Sequence, residues 1–365
     1  MDYLHHFGLN DDPFRNDHLD RFIAEIPSQT QALRRLDRGV RQGRGLVVLV
    51  GGVGSGKTVV ARRLYEDLEE EMFEAGMMVV LRSHADSDWL LERFAVQLGV
   101  EEAAPDREAL IGQIYERLAI IREDGRHAVL IIDDAQALAT AETLSELSAL
   151  VKLEYEDRRV LTVVLVGSPL LDQVIGSDPQ LAHQVEVKVR MAGFGPDEAA
   201  AYLAHRLSVA GGEAQIVLPG AVTALRELSH GSPGLMNGLA DNALFEAYLA
   251  DRREVTRSDV ENAWAALGWP SGSSVGSAQG GGSRHARASA SALGQAETTS
   301  PDLSGSQDLD SELAAVFEPM GGRGRTSASA APTEIQLGPA DVLDGPPKDD
   351  DSDAVDDLFM ELIDD

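Results

Sequence analysis

Leu46-Val47-Val48-Leu49-Val50 runs directly into Gly51-Gly52-Val53-Gly54-Ser55-Gly56-Lys57-Thr58. The apolar run has strand length and no polar member, as in a strand covered on both faces. The eight residues after it satisfy G-x-x-x-x-G-K-[ST], and a helical pattern opens at Val59. That strand–loop–helix context gives the pattern its meaning. Glycines let the backbone take positive φ and turn its amides toward an anion. The following helix aims its unpaired amides and the positive end of its dipole at the same point. Lys57 brings a charge to the terminal phosphates, and Thr58 a hydroxyl for magnesium. Gly51, Gly52, Val53, Gly54, Ser55, Gly56, Lys57, Thr58 and Val59 are the candidate binding residues for a nucleoside triphosphate.

A bound triphosphate needs a second handle for its metal. Ala128-Val129-Leu130-Ile131-Ile132 is another apolar strand, and it ends in Asp133-Asp134. Asp133 is the candidate magnesium ligand beside Thr58, directly or through water. Asp134 stands where a general base or water-positioning acid is needed. Gln136 has two readings: it orients a water, or it caps the next element. Ser168, after the apolar run Val160–Val166, also has two: it reaches the γ-phosphate, or it is an ordinary strand-to-turn residue. The candidate catalytic set is thus Asp134, Lys57, Ser168 and Gln136.

Outward from these motifs, short apolar runs alternate with amphipathic stretches. Strands are predicted at Leu46–Val50, Met77–Leu81, Ala128–Ile132, Val160–Val166 and Val185–Val189. Helices are predicted at Val59–Glu74, Asp88–Leu98, Asp106–Arg122 and Glu142–Tyr155. Such alternation argues for an α/β fold around a parallel sheet. Beyond residue 196 only helical patterns follow, over Asp197–Val209, Gly220–Ser229, Gly234–Ala250 and Ser258–Leu267, which implies a helical second domain. The expected organisation is an N-terminal segment and helix over 1–45, the core over 46–195, a helical lid over 196–269, and a tail over 270–365.

The chain has 365 residues and a formal net charge of −30, which argues against bulk binding along nucleic acid. Residues 271–365 hold 18 acids against 5 bases, and the first 270 residues hold 43 against 26, so charge per residue is about twice as dense in the tail. The tail's Gly/Ser/Ala-rich composition reads as disordered and acidic. Two islands of large apolar residues among carboxylates, at 310–318 and 356–365, read either as docking motifs or as residual hydrophobicity. No cysteine occurs, which excludes disulfides, thiol catalysis and Cys-zinc sites. No apolar run approaches the roughly 20 residues of a spanning helix, so a cytoplasmic protein without a membrane span is expected.

The run Tyr3-Leu4-x-x-Phe7-Gly8-Leu9-x-x-x-Pro13-Phe14 resembles the opening of ExeA-like ATPases, the general secretion pathway protein A family. The resemblance continues through the phosphate-loop pattern, Leu130–Gln136, Leu165–Leu170, Ala201–Leu207 and Gly231–Asn237, covering roughly residues 1–268. It implies an AAA+ module with strand order 5-1-4-3-2 and a helical lid, together with ATP and magnesium. It also implies that the N-terminal segment lies against the adenine, which makes Phe7, Gly8 and Pro13 pocket candidates. Relatives serve secretion or polysaccharide-export machinery at the inner membrane, and related modules serve DNA transposition and replication.

Departures from the family pattern carry their own expectations. Asp134 stands where the family usually has Glu, one methylene longer. Gln184 and Gly234 stand where arginines are expected to reach the γ-phosphate or the bound nucleotide. Such arginines are worth roughly 10³–10⁵ in rate, so slow turnover is expected. Three functional readings follow: a slow ATPase acting as a switch or assembly factor; a nucleotide-gated adaptor with little hydrolysis, using protein partners through the tail or self-assembly; and a DNA partner using Arg34, Arg35, Arg38, Arg41 and Arg44. Overall charge disfavours DNA and favours a structural role for those arginines, stabilising helix C-terminal ends or pairing with nearby carboxylates. The expected location is the cytoplasm, with attachment to the inner face of the inner membrane through partners.

Overall fold

The computed structural model describes residues 3–16, 20–81 and 86–269. The tail and its two islands lie outside the described residues. Five strands form one parallel sheet: β1 (Leu46–Gly51), β2 (Phe73–Val79), β3 (His127–Asp133), β4 (Leu161–Gly167) and β5 (Val185–Met191). Their spatial order from edge to edge is β5-β1-β4-β3-β2, the order the resemblance implied. Every residue of β1 and β4 is buried, Thr162 of β4 included, as near-continuous apolar runs require.

Side chains alternate across the sheet. Val48, Val50, Leu130, Ile132, Val163 and Leu165 face one core with helices α3 (Ser87–Gln97), α4 (Arg107–Glu123) and α5 (Ala141–Leu150). Val47, Leu49, Val129, Ile131, Val164 and Val166 face the other with α1 (Pro27–Arg41) and α2 (Lys57–Asp67). Short helices α6 (Leu170–Ser177) and α7 (Pro179–Gln184) link β4 to β5. A third core gathers helices α8 (Pro196–Val209), α9 (Pro219–Leu228), α10 (Pro233–Leu249) and α11 (Arg257–Leu267). The N-terminal segment joins that lid core through Phe7, Leu9, Phe14, Phe22 and Ile26.

Three boundaries differ from the sequence reading. Helix α2 stops at Asp67, short of Glu74, and an exposed turn over Glu69–Met72 leads into Phe73, whose backbone amide bonds the Glu69 carbonyl. β2 therefore starts at Phe73, which is buried opposite His127, and Leu81 is 72% exposed beyond the strand. The charged run masked the turn because it holds no glycine or proline. Helix α5 ends at Leu150, short of Tyr155. A two-residue-stranded hairpin (154–155 with 158–159) follows, with Glu156 and Asp157 both at positive φ, as a tight hairpin turn demands.

The topology places the chemistry. β4 lies between β1 and β3, so Gly167-Ser168 sits between the end of the phosphate loop's strand and Asp133. A crevice at the carboxyl ends of a parallel sheet is where ligands bind in such folds.

Candidate nucleotide site

The sheet wall comes first. Gly54 and Gly56 take φ of +69° and +88°, which side chains rarely adopt, and Gly56 is the residue from which α2 starts. Lys57 Nζ donates to the Gly52 carbonyl at 2.9 Å, which folds the ammonium back over the loop. Burial holds that ammonium below the usual lysine range, opposed by the carboxylates of Asp133 and Asp134. Thr58 Oγ1 donates to Asp133 Oδ2 at 2.6 Å, so the two candidate magnesium ligands touch across 75 residues of chain. Asp133 is buried at the end of β3.

Asp134 turns out of the strand at φ 54° and is exposed. Its backbone amide donates to Asp133 Oδ1 at 2.9 Å, which steadies the neighbouring carboxylate. Gln136 Nε2 donates to Asp134 Oδ1 at 3.1 Å, and Gln136 Oε1 accepts from the Ser168 amide at 2.9 Å. Gln136 thus ties the exposed carboxylate to the end of β4. The Ser168 hydroxyl is buried without a partner among the described residues. A buried unpaired hydroxyl is costly and commonly marks a contact completed by something else.

The lid wall closes directly on the loop. Ser232 Oγ donates to the Val53 carbonyl at 2.9 Å, and the Gly234 amide donates to the Gly54 carbonyl at 2.9 Å. A Cβ built on Gly234 would stand 3.1 Å from Gly54 Cα. Gly234 therefore occupies the expected arginine position because the lid backbone sits against the loop there. Gln184 is engaged elsewhere: its Nε2 donates to Ser148 Oγ at 2.7 Å and to the Ser148 carbonyl at 3.2 Å.

Between the walls lies a cavity of about 420 Å³. Val53, Gly54, Gly56, Lys57, Thr58 and Val59 line it from the loop side, together with Gln29 of α1. Phe22, Ile23 and Ala24 line it from the N-terminal segment, and Tyr202, Arg206 and Asn237 from the lid. Arg206 is 5% exposed and forms no ion pair among the described residues. Its guanidinium donates to the carbonyls of Pro13 and Arg15 and to Tyr202 Oη, and it stacks 4.9 Å from the Phe22 ring centre. This buried cation clasps the N-terminal segment to the lid.

The expected adenine-side residues stand away from the cavity lining. Phe7 is buried in the lid core, where its ring meets that of His6 edge-on at 4.9 Å. Gly8 lines a separate concavity with His5 and Arg253. Pro13 is buried, and its carbonyl accepts from Arg206 Nε. The apolar Phe-Gly-Leu…Pro-Phe run is used to fill the lid core, and Phe22–Ala24 meet the cavity instead. Tyr202 and Arg206, four residues apart on α8, and Asn237, three after Gly234, carried no role in the sequence reading. Their signal was an aromatic–arginine pair at helical spacing inside a lid motif.

Thr58 and Asp133 offer hydroxyl and carboxylate oxygens, hard donors of the type magnesium takes. Among the described residues no cluster of three His, Cys, Asp or Glu could hold a metal alone. Magnesium does not need one, since it keeps water and phosphate oxygens among its ligands. Of the N-terminal arginines, Arg41 pairs with Asp37 at 2.7 Å and Glu69 at 2.9 Å, and Arg44 with Glu186 at 2.9 Å. Arg34, Arg35 and Arg38 are exposed on α1. No helix among the described residues is long and apolar enough to cross a membrane.

A family model described as an AAA domain matches residues 40–175. General secretion pathway protein A of Aeromonas hydrophila is 30% identical over 263 residues, 71% of this chain and 47% of that protein. The chain thus spans about half the length of that curated relative. Cdc6p of Pyrobaculum aerophilum is 19% identical, with 71% of this chain matched to 72% of that one at a TM-score of 0.55. A chain in the structure of Drosophila ORC bound to DNA is 14% identical, with 74% matched to 67% at a TM-score of 0.55. At such identities these structures speak for the fold alone.

Proposed function

The chain carries an ExeA-like AAA+ P-loop ATPase module, and from that premise we propose that it binds magnesium-ATP in the cavity between loop and lid, hydrolyses it slowly, and acts as a nucleotide-dependent switch or assembly factor in secretion- or export-type machinery. The observation that carries the reading is the Thr58–Asp133 hydrogen bond of 2.6 Å beside the phosphate loop. Bound magnesium would supply charge neutralisation between the β- and γ-phosphates. Around it, Lys57 and the loop amides bind the phosphates, Asp134 steadied by Gln136 orients a water, and Ser168 offers its unpaired hydroxyl to the terminal phosphate. Slow turnover is supported by Gly234, which leaves no lid arginine at that point, and by Gln184, whose amide is committed to Ser148.

The secretion role rests on the named function of the Aeromonas relative and on nothing narrower. A second reading, a nucleotide-gated adaptor with little hydrolysis, draws on the direct lid-to-loop hydrogen bonds, which give the nucleotide something to rearrange. The DNA reading draws on exposed Arg34, Arg35 and Arg38; the carboxylate pairing of Arg41 and Arg44 weakens it.

Steady-state phosphate release, read beside ATP binding, separates the first two. The wild type should release phosphate above background, Asp134→Asn should bind ATP but release little, and Lys57→Ala should do neither. Tight ATP binding by the wild type and Asp134→Asn, with release at background from all three proteins, would leave the adaptor reading standing and remove the hydrolytic one.

A further inference from the structure

Arg206, Tyr202, Asn237 and Asn16 form a hydrogen-bond relay along the wall of the cavity. Arg206 Nη1 meets Tyr202 Oη at 3.2 Å, Tyr202 Oη meets Asn237 Oδ1 at 2.9 Å, and Asn237 Nδ2 meets Asn16 Oδ1 at 2.9 Å. All four residues line the cavity. The relay runs outward from the guanidinium. A guanidinium has donors and no acceptor, so the tyrosine oxygen must accept from it. The phenol then gives its own proton to the Asn237 carbonyl oxygen. That orientation points the Asn237 amide nitrogen at Asn16 and makes it the donor. Asn16 must therefore answer with its oxygen, and its amide nitrogen is left over. Among the described residues that nitrogen has no protein partner.

An asparagine can ordinarily flip and offer either face, with little energy separating the two. Here the neighbours bias the choice: a flip at Asn16 alone would set its amide nitrogen against that of Asn237, and a flip at Asn237 alone would set two carbonyl oxygens against each other and turn its amide toward the phenol proton. The cavity that Lys57 lines from the loop is thus also lined by a hydrogen-bond donor of set polarity, in the company of Phe22, Ile23 and Ala24.

Resting on the reading of this cavity as an ATP site, we propose that Asn16 is a base-reading residue that donates its side-chain amide to a ring nitrogen of adenine. Arg206 and Tyr202 act as positioning residues that hold the Asn16 amide in that polarity. An acceptor in place of the donor would face the lone pair of the ring nitrogen and be repelled. Phosphate affinity and base affinity are then separable properties: Lys57 and the loop amides govern the first, and the relay governs the second.

The test compares binding of ATP, its 1-, 3- and 7-deaza analogues, and inorganic tripolyphosphate to the full chain by calorimetry. Wild type should bind ATP more tightly than one of the deaza analogues by roughly three- to tenfold, the worth of one hydrogen bond. Asn16→Ala, a change at an exposed side chain, should bind ATP and that analogue equally. Asn16→Asp should bind ATP more weakly still. Tyr202→Phe, which cuts the relay but keeps the ring, should also lose the distinction between ATP and the analogue. Asn16→Ala and Tyr202→Phe, which add no charge, should bind tripolyphosphate as wild type does. Asn16→Ala binding ATP as tightly as wild type, or losing tripolyphosphate affinity to the same degree, would overturn the proposal. If wild type binds neither ATP nor tripolyphosphate, or if Lys57→Ala leaves both unchanged, the ATP-site reading itself fails.

Discussion

The two walls of the cavity are held by different forces. On the sheet wall a lysine, a threonine and two carboxylates sit within one loop and one strand end, and charge organises them. On the lid wall a buried arginine has no ion pair among the described residues, and two carbonyls, a phenol and a ring face absorb its donors. The first arrangement attracts a highly charged ligand and is screened by salt. The second is neutral in its outer members and depends on geometry. Stability and base recognition should therefore respond to the lid wall, and phosphate affinity to the sheet wall.

The hardest strain on that division is Arg206→Ala. It removes a large buried side chain, opens space against Phe22, and strands the carbonyls of Pro13 and Arg15. Together these losses should destabilise the protein by about 4 kcal/mol. Urea denaturation should register most of it on the lid side. An effect below about 1 kcal/mol would mean that the clasp is ornamental.

His127 probes the far end of β3 from Asp133. Its ring nitrogen shares a hydrogen bond with Thr162 Oγ1 at 2.8 Å, and burial pushes its pKa down from 6.5 to about 4. The unfolded chain therefore binds the extra proton first. Stability from this site is complete above pH 6.5 and is lost as pH falls from there toward 4, with about 2 kcal/mol gone by pH 5. Denaturation midpoints at pH 7.5 and 5 should show this in the wild type and lose that component in His127→Gln. ATP affinity should not follow it.

Gly234→Ala tests the contact between the walls. Its methyl would stand 3.1 Å from Gly54 Cα, so overpacking of about 1–2 kcal/mol is expected, with weaker ATP binding. The smallest effect is a control far from both walls. Gly112 lies within α4 with nothing near its absent Cβ, so Gly112→Ala should stabilise by about 0.7 kcal/mol and leave ATP binding alone.

The same division explains what could be read from sequence. The sheet wall was legible because its parts are contiguous: Gly51–Thr58 follow their own strand, and Asp133-Asp134 end theirs. The parallel sheet was legible because β1 is an unbroken apolar run and β4 nearly one, with only Thr162 inside it. The lid wall is assembled from Asn16, Phe22–Ala24, Tyr202, Arg206 and Asn237, up to 221 residues apart, and no local spacing joins them. Phe7, Gly8 and Pro13 were drawn to the adenine side by resemblance, yet the hydrophobic ones among them had a lid core to fill. The start of β2 was hidden because a charged helix runs into a charged turn without a breaker. The need for glycine at 234 comes from Gly54, distant in sequence and packed against it.

Amide hydrogen exchange with and without magnesium-ATP tests the two-walled site most directly. ATP should slow exchange at the loop amides of residues 52–58 and, in the same experiment, at residues 22–24 and 234–237. Protection confined to the loop, with the lid wall exchanging as fast as in the free protein, would contradict the account.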